Sequence, residues 1–330
     1  MMIEKVVELN STKLPYIQSL ATCGPYLFIV ADNMILIHTL ASYISGVEIN
    51  KITHRQPIVK LTVNKTTENI FVLIMLDFKG KLYASTFANV EHIELLKLSQ
   101  NSKKITGFSF NSCNHRVAYS HETCVTTIGL QFSPRLTYST LRNLDVDKEV
   151  KEISFGDNDV LLITYFSGKT RLVEETDRKE IHTEDESSRL SKIALFTGCT
   201  RRFITTEDYY IQINPFPGTL INVNKENLAP MNFYSDQDYN EPVCEIANTF
   251  VYPAHNESIT GFDSINELNI LVTVSDNELK IWNIKNQQLI AKIENEKFSS
   301  LVNLQKVSEN CCYIWTTNIN RSLMCYRFYN

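Results

Sequence analysis

Residues 270–293, ILVTVSDNELKIWNIKNQQLIAKI, decide how the rest of the chain is read. Val272 and Val274, then Leu279 and Ile281, alternate with polar residues on either side of Ser275-Asp276-Asn277. Alternation at a period of two marks strands with one buried face, and Ser, Asp and Asn favour the tight turn between them. Trp282-Asn283 closes the second strand, and Leu289–Ile293 supplies a third. A small meander cannot bury its own faces. If it is one unit of an array, comparable units should recur about every 40–45 residues.

They do. Paired β-rich runs flank a turn in LFIVADNMILIHT (27–39), FVLIMLDFKGKLYAS (71–85), VAYSHETCVTTIGL (117–130), VLLITYFSGKTRLVE (160–174), FITTEDYYIQINPF (203–216) and YIWTTNINRSLMCYRF (313–328). With residue 270 included, the starts are spaced 44, 46, 43, 43, 67 and 43 residues apart. A shorter alternating strand precedes most pairs, as in IVKLTV (58–63), ITGFSF (105–110), VKEISF (150–155), LSKIALF (190–196) and ITGF (259–262). No segment sustains a 3.6-residue apolar period. The expectation is an all-β single domain over residues 1–330, in units near 16–56, 57–99, 103–145, 149–183, 188–222, 255–294 and 298–330. Repeats of this period and pattern build a β-propeller, here seven-bladed. VVEL (6–9) is placed to supply the outer strand that the final unit lacks, which would hide two open edges at once.

Composition agrees with a globular fold: 43% hydrophobic and 21% charged residues, with a formal charge of −5. An acidic balance argues against a free-standing nucleic-acid binder. The first residues, MMIEKVVELN, lack the apolar core of a signal peptide, and the longest apolar run, 70–76, is too short to span a bilayer. The eight cysteines form no C-x-x-C pair, so reduced thiols in nucleus or cytoplasm are expected.

Two stretches interrupt the pattern. EETDRKEIHTEDESSR (174–189) reads as a charged rim connector. Residues 217–245 form an insertion long enough to be functional or disordered, with Phe233, Tyr234 and Tyr239 available for contact. There is no Gly-rich phosphate loop, no G-x-S-x-G elbow and no H-E-x-x-H helix. Lys103-Lys104 and Arg201-Arg202 are isolated pairs, whereas phosphate affinity needs clustered cations. No catalytic residue, metal site or cofactor of the chain's own is therefore expected.

The period, Trp282 and the placement of His255 and Asp276 resemble the WD-repeat β-propeller family across nearly the whole chain. That resemblance implies a buried structural network joining His255, Asp276 and Trp282 to a strand hydroxyl, from Thr273 or Ser275. Residues 190–293 further resemble the WD-repeat, non-catalytic subunit of the tRNA (guanine-N7-)-methyltransferase. FITTEDYYIQINPFP (203–217) is similar to that subunit's fifth-unit segment. A histidine element and one well-formed Trp repeat follow it in the same order, and Ser167-Gly168-Lys169 is similar to an upstream segment. The family's Asp-Arg-Asp-Glu-Lys turn stands here as Glu207-Asp208-Tyr209-Tyr210, with Gln212 for the following Arg.

The resemblance implies a scaffold forming a heterodimer with a catalytic methyltransferase subunit, which would itself bind S-adenosylmethionine. Docking would use Glu207, Asp208, Tyr209 and Gln212. Contact with tRNA would be indirect or weak, and no membrane is involved. The other reading is a general WD-repeat interaction scaffold in ribosome maturation, chromatin or ubiquitin ligation.

Overall fold

The structure is a computed structural model. It describes residues 2–9, 16–66, 70–87, 90, 93–98, 104–132, 135–146, 148–155, 160–167, 170–174, 180–183, 193–196, 202–207, 210–215, 244–246, 249–284, 288–294, 296–319 and 322–329. Between 174 and 253 only the course of the backbone is described. The sequence readings at 184–192 and 216–243 lie outside the described residues.

The chain is all-β, and among the described residues its strands form seven antiparallel sheets, six of four strands and one of five. Each resembles a propeller blade. The first contains Ile17–Cys23, Tyr26–Ala31, Met34–His38 and Asn50–Thr53. The second contains Ile58–Lys65, Phe71–Asp77, Leu82–Phe87 and Leu96–Lys97. The third runs from Ile105–Asn111 to Thr137–Asp145, and the fourth from Val150–Phe155 to Glu180–Thr183. The fifth takes Ile193–Phe196, Arg202–Glu207 and Tyr210–Pro215, then Thr249–Pro253 with Cys244–Ile246 at its edge. Its fourth strand therefore follows the 217–245 insertion, which interrupts this sheet instead of merely preceding the next one.

The sixth sheet contains Gly261–Ile265, Ile270–Val274, Glu278–Asn283 and Gln288–Glu294. The seventh joins Phe298–Ser308, Cys311–Asn318 and Leu323–Tyr329 to the N-terminal strand Met2–Leu9. That strand pairs from Met2 opposite Tyr329 to Leu9 opposite Leu323, passing over Val6 at a bulge. Lys5 Nζ meets Glu296 at 3.0 Å, and the Tyr326 hydroxyl donates to the same carboxylate at 2.6 Å.

The cores lie between neighbouring sheets. Phe28, Ile35, Leu73 and Met75 fill the space between the first and second sheets, and Val272, Leu279, Ile314 and Phe328 that between the sixth and seventh. Leu27, Ile29, Trp315 and Leu323 pack the seventh sheet onto the first. Central strands therefore bury both faces, which is why their sequences read as continuous apolar runs.

First strands of adjacent sheets are stitched laterally. Leu61 N donates to Ser19 Oγ at 3.2 Å, Thr106 Oγ1 to Val150 O at 3.1 Å, Leu304 N to Asp263 Oδ2 at 2.7 Å and Thr22 Oγ1 to Leu304 O at 2.8 Å. At Gly261 a Cβ would overlap the carbonyl of Ser300, so only glycine permits this approach of the sixth sheet to the seventh. In the first four sheets the first strand carries a bulge at its second residue, passing over Gln18, Val59, Thr106 and Lys151. A bulge sharpens twist and re-aims the extra side chain.

Among the described residues one α-helix, Leu40–Ser45, departs from the purely β expectation. Thr39 and Ser42 form a reciprocal capping box, and Gly46 ends it at φ 73°. Its Tyr43 wedges edge-on against Trp315, ring centroids 5.7 Å apart.

Candidate functional site

A connected group of buried polar side chains lies in the sixth sheet. His255 sits on the connection leading into that sheet and is 1% exposed. Its Nε2 lies 2.8 Å from Thr273 Oγ1, which also accepts the Trp282 indole N–H at 2.8 Å. Its Nδ1 lies 3.2 Å from Glu278 Oε2. Burial, reinforced by the Lys280 ammonium, pushes the imidazole down to about 4, so it is neutral near pH 7. An indole can only donate, and a carboxylate can only accept. The tautomer follows: Nδ1–H donates to Glu278, and Nε2 accepts the threonine hydroxyl proton.

Glu278 also pairs with Lys280 Nζ at 2.9 Å, and that ammonium donates to Ala254 O at 2.9 Å. Burial acts to raise the Glu278 carboxyl, but Lys280 and His255 outweigh it and leave the group below its ordinary range.

Sequence reasoning assigned the acidic member to Asp276; the geometry assigns it to Glu278. Ser275 N bonds Glu278 O at 2.9 Å, closing a turn whose two central residues are Asp276 and Asn277. Those residues project into solvent, and Asp276 contributes only its carbonyl, which accepts Phe298 N at 2.9 Å. Glu278 starts the next strand and turns inward. Of the two candidate hydroxyls Thr273 is used, while Ser275 Oγ is buried without a partner.

A related cluster in the second sheet escaped the sequence reading. His54 Nε2 lies 3.5 Å from Asp77 Oδ2, and the ring stands edge-on to Tyr83 with centroids 4.7 Å apart. Asp77 is 2% exposed and caps its own turn, accepting Lys81 N at 2.8 Å, while Gly80 takes the left-handed φ of 70°. Burial, then the charge and hydrogen bond of Asp77, raise the Tyr83 hydroxyl. The available signal was a histidine four residues ahead of a strand and an aspartate at the next turn.

The proposed docking residues lie in the fifth sheet. Glu207 ends the strand Arg202–Glu207 and faces Tyr210, while Gln212 lies opposite Thr205 and Val251. Their turn joins second and third strands, the same place that Ser275–Glu278 holds in the sixth sheet. Asp208 and Tyr209 lie outside the described residues, as do the side chains of Glu207 and Gln212. Among the described residues no three His, Cys, Asp or Glu side chains gather closely enough to hold a metal ion, and no helix is long and apolar enough to cross a membrane. The chain matches no established family profile, and no curated protein is significantly similar to it.

Proposed function

We propose that the chain is a non-catalytic scaffold whose stacked sheets hold a partner protein. The observation that supports this is the use of the His255 group. Both ring nitrogens, the Thr273 hydroxyl and the indole N–H are engaged with one another and with Glu278 inside one sheet. A histidine with both nitrogens engaged at a burial of 1% exposure stiffens a sheet and has no free lone pair for substrate.

The partner in this proposal is the catalytic subunit of a tRNA (guanine-N7-)-methyltransferase, docked on the turn at Glu207–Gln212, with the complex in nucleus or cytoplasm. The order of units and the likeness of residues 203–217 support that choice, and an acidic edge would attract a tRNA-bearing basic subunit. The test is co-purification of the tagged chain. A methyltransferase should be recovered at equal stoichiometry, and Glu207→Lys with Asp208→Lys should weaken its recovery. Undiminished recovery would remove this turn from the interface. The second reading, a scaffold in another assembly, is favoured by the loss of the paired acidic and basic residues from the turn. It predicts a stoichiometric partner that is no methyltransferase.

A further inference from the structure

The first strand of the second sheet opens on a bulge that passes over Val59. Alternation would group Val59 with the buried Leu61 and Val63, but the extra residue turns it outward, and it is 47% exposed. Two residues earlier, Pro57 O accepts the backbone N–H of Phe78 at 2.8 Å. Phe78 lies in the turn between the second and third strands and is 63% exposed. Turns at this place in three other sheets carry Asp32, Glu122 and Asp276, as a solvated tip favours. Phe166 of the fourth sheet repeats the exception: it donates its backbone N–H to Glu149 O at 3.3 Å and is 59% exposed. Among the described residues these are the two phenylalanines that stand mostly in solvent. Lys60 and Glu152, from the first strands of the same two sheets, meet at 2.8 Å.

Phe78 is held in place. Gly80 N donates to Asp77 O at 2.9 Å, and at Gly80 a Cβ would overlap the Lys104 stem, so that lysine packs directly on the turn. Its Nζ then stands 5.6 Å from the centre of the Phe78 ring. A large aromatic side chain presented to solvent on a fixed turn has already lost much of the freedom that binding would cost it. The charges around it are of one sign. In segments 54–60, 77–81 and 104–106 the exposed charged residues are Arg55, Lys79 and Lys104, while Asp77 is buried and spent on Lys81 N. In the sequence Lys104 belongs to an isolated pair; the fold brings it to Lys79 on a chain whose overall charge is −5.

We propose that this end of the second sheet docks an acidic, extended segment of a partner protein. An apolar side chain of the segment rests on Phe78 and Val59, and its carboxylates meet Arg55, Lys79 and Lys104. An apolar centre inside a charged rim is the usual form of a protein anchor site. An aliphatic Val59 gives a nucleobase no stacking face, and three cations spaced around apolar groups suit carboxylates along a peptide better than a run of phosphates.

The site does not depend on the docking role of Glu207, and its test needs no methyltransferase, so either can fail alone. The full chain is titrated into the fluorescein-labelled hexapeptide EEFLDE amide, and anisotropy is followed. Labelled KKFLKK amide, EEGSDE amide and oligouridylate are run beside it. Saturable binding of the first probe is expected, with the others weaker. Phe78→Ser should weaken it about tenfold, and Lys79→Glu with Lys104→Glu should weaken it and flatten its salt dependence. Val307→Ser, at the opposite end of the seventh sheet's first strand, should leave binding unchanged. Absence of saturable binding at submillimolar chain would overturn the proposal. So would equal binding by Phe78→Ser, or preference for the basic peptide. Tighter binding of oligouridylate would overturn it in favour of an RNA surface. If Phe78→Ser fails to fold, undiminished binding by Lys79→Glu alone serves as the contradicting result.

Discussion

The sixth and seventh sheets each bury a tryptophan and dispose of its indole N–H differently. Trp282 donates within its own sheet, to Thr273, and the network runs on through His255 and Glu278 to Lys280 and the Ala254 carbonyl. Trp315 donates to Gln305 at 2.9 Å, and Gln305 Nε2 passes on to Gly24 O of the first sheet at 2.8 Å. One network makes a sheet rigid; the other fastens a sheet to its neighbour. The sheet tied to its neighbour is also the one completed by the N-terminal strand. Local stability and the joining of distant parts of the chain are thus assigned to different side chains.

The largest effect expected from breaking this division is deletion of residues 2–9. The deletion uncovers the Leu323–Tyr329 edge and removes the Lys5–Glu296 tie, and the melting temperature should fall by roughly 5 °C or more. An unchanged melting temperature would show that the seventh sheet holds without its fourth strand. Next is Thr273→Val, which keeps the shape and leaves both His255 Nε2 and the Trp282 N–H unsatisfied. Denaturant unfolding should show a loss of about 3 kcal/mol, and a variant as stable as the parent would dissolve the network.

Acid titration sharpens the same contrast. The folded pKa of His255, about 4, lies below its unfolded value of 6.5. Its contribution is therefore complete above 6.5 and is lost as pH falls toward 4, by of order 3 kcal/mol. Asp263, whose carboxyl burial raises to about 6 against the opposing backbone donors Leu304 and Ser264, acts in the opposite sense. Its contribution is present below 3.8 and lost as pH rises to 6. In the wild type the two slopes offset each other between pH 4 and 6. Asp263→Asn should expose the His255 loss as a steeper fall in stability with acid, and His255→Gln should flatten or reverse it. Identical pH profiles for the three proteins would contradict both assignments. The smallest effect belongs to Asp276→Ala, within about 0.5 kcal/mol. Glu278→Ala takes the carboxylate away from both Lys280 Nζ and His255 Nδ1 and should cost about 2 kcal/mol. A reversed order would restore Asp276 to the network.

Sheets with buried faces were legible because periodicity and spacing record burial directly. Even the pairing of the chain's first strand with its last could be read, from an unfinished final unit and a lone VVEL. The acidic partner of His255 was not legible: Asp276 and Glu278 are two residues apart, and only the turn geometry decides which one faces inward. His54 and Asp77 stand 23 positions apart in the sequence, and no fixed spacing ties a connecting segment to a later turn. Val59 was illegible for a different reason. A bulge changes the face on which a residue lies, and alternation alone would assign it wrongly.

The most direct test of the proposed role is the N7-methylguanosine content of tRNA, measured by nucleoside mass spectrometry in cells lacking this chain. Loss of the modification, restored by the intact chain, is the predicted result. Full methylation in its absence would contradict the proposal.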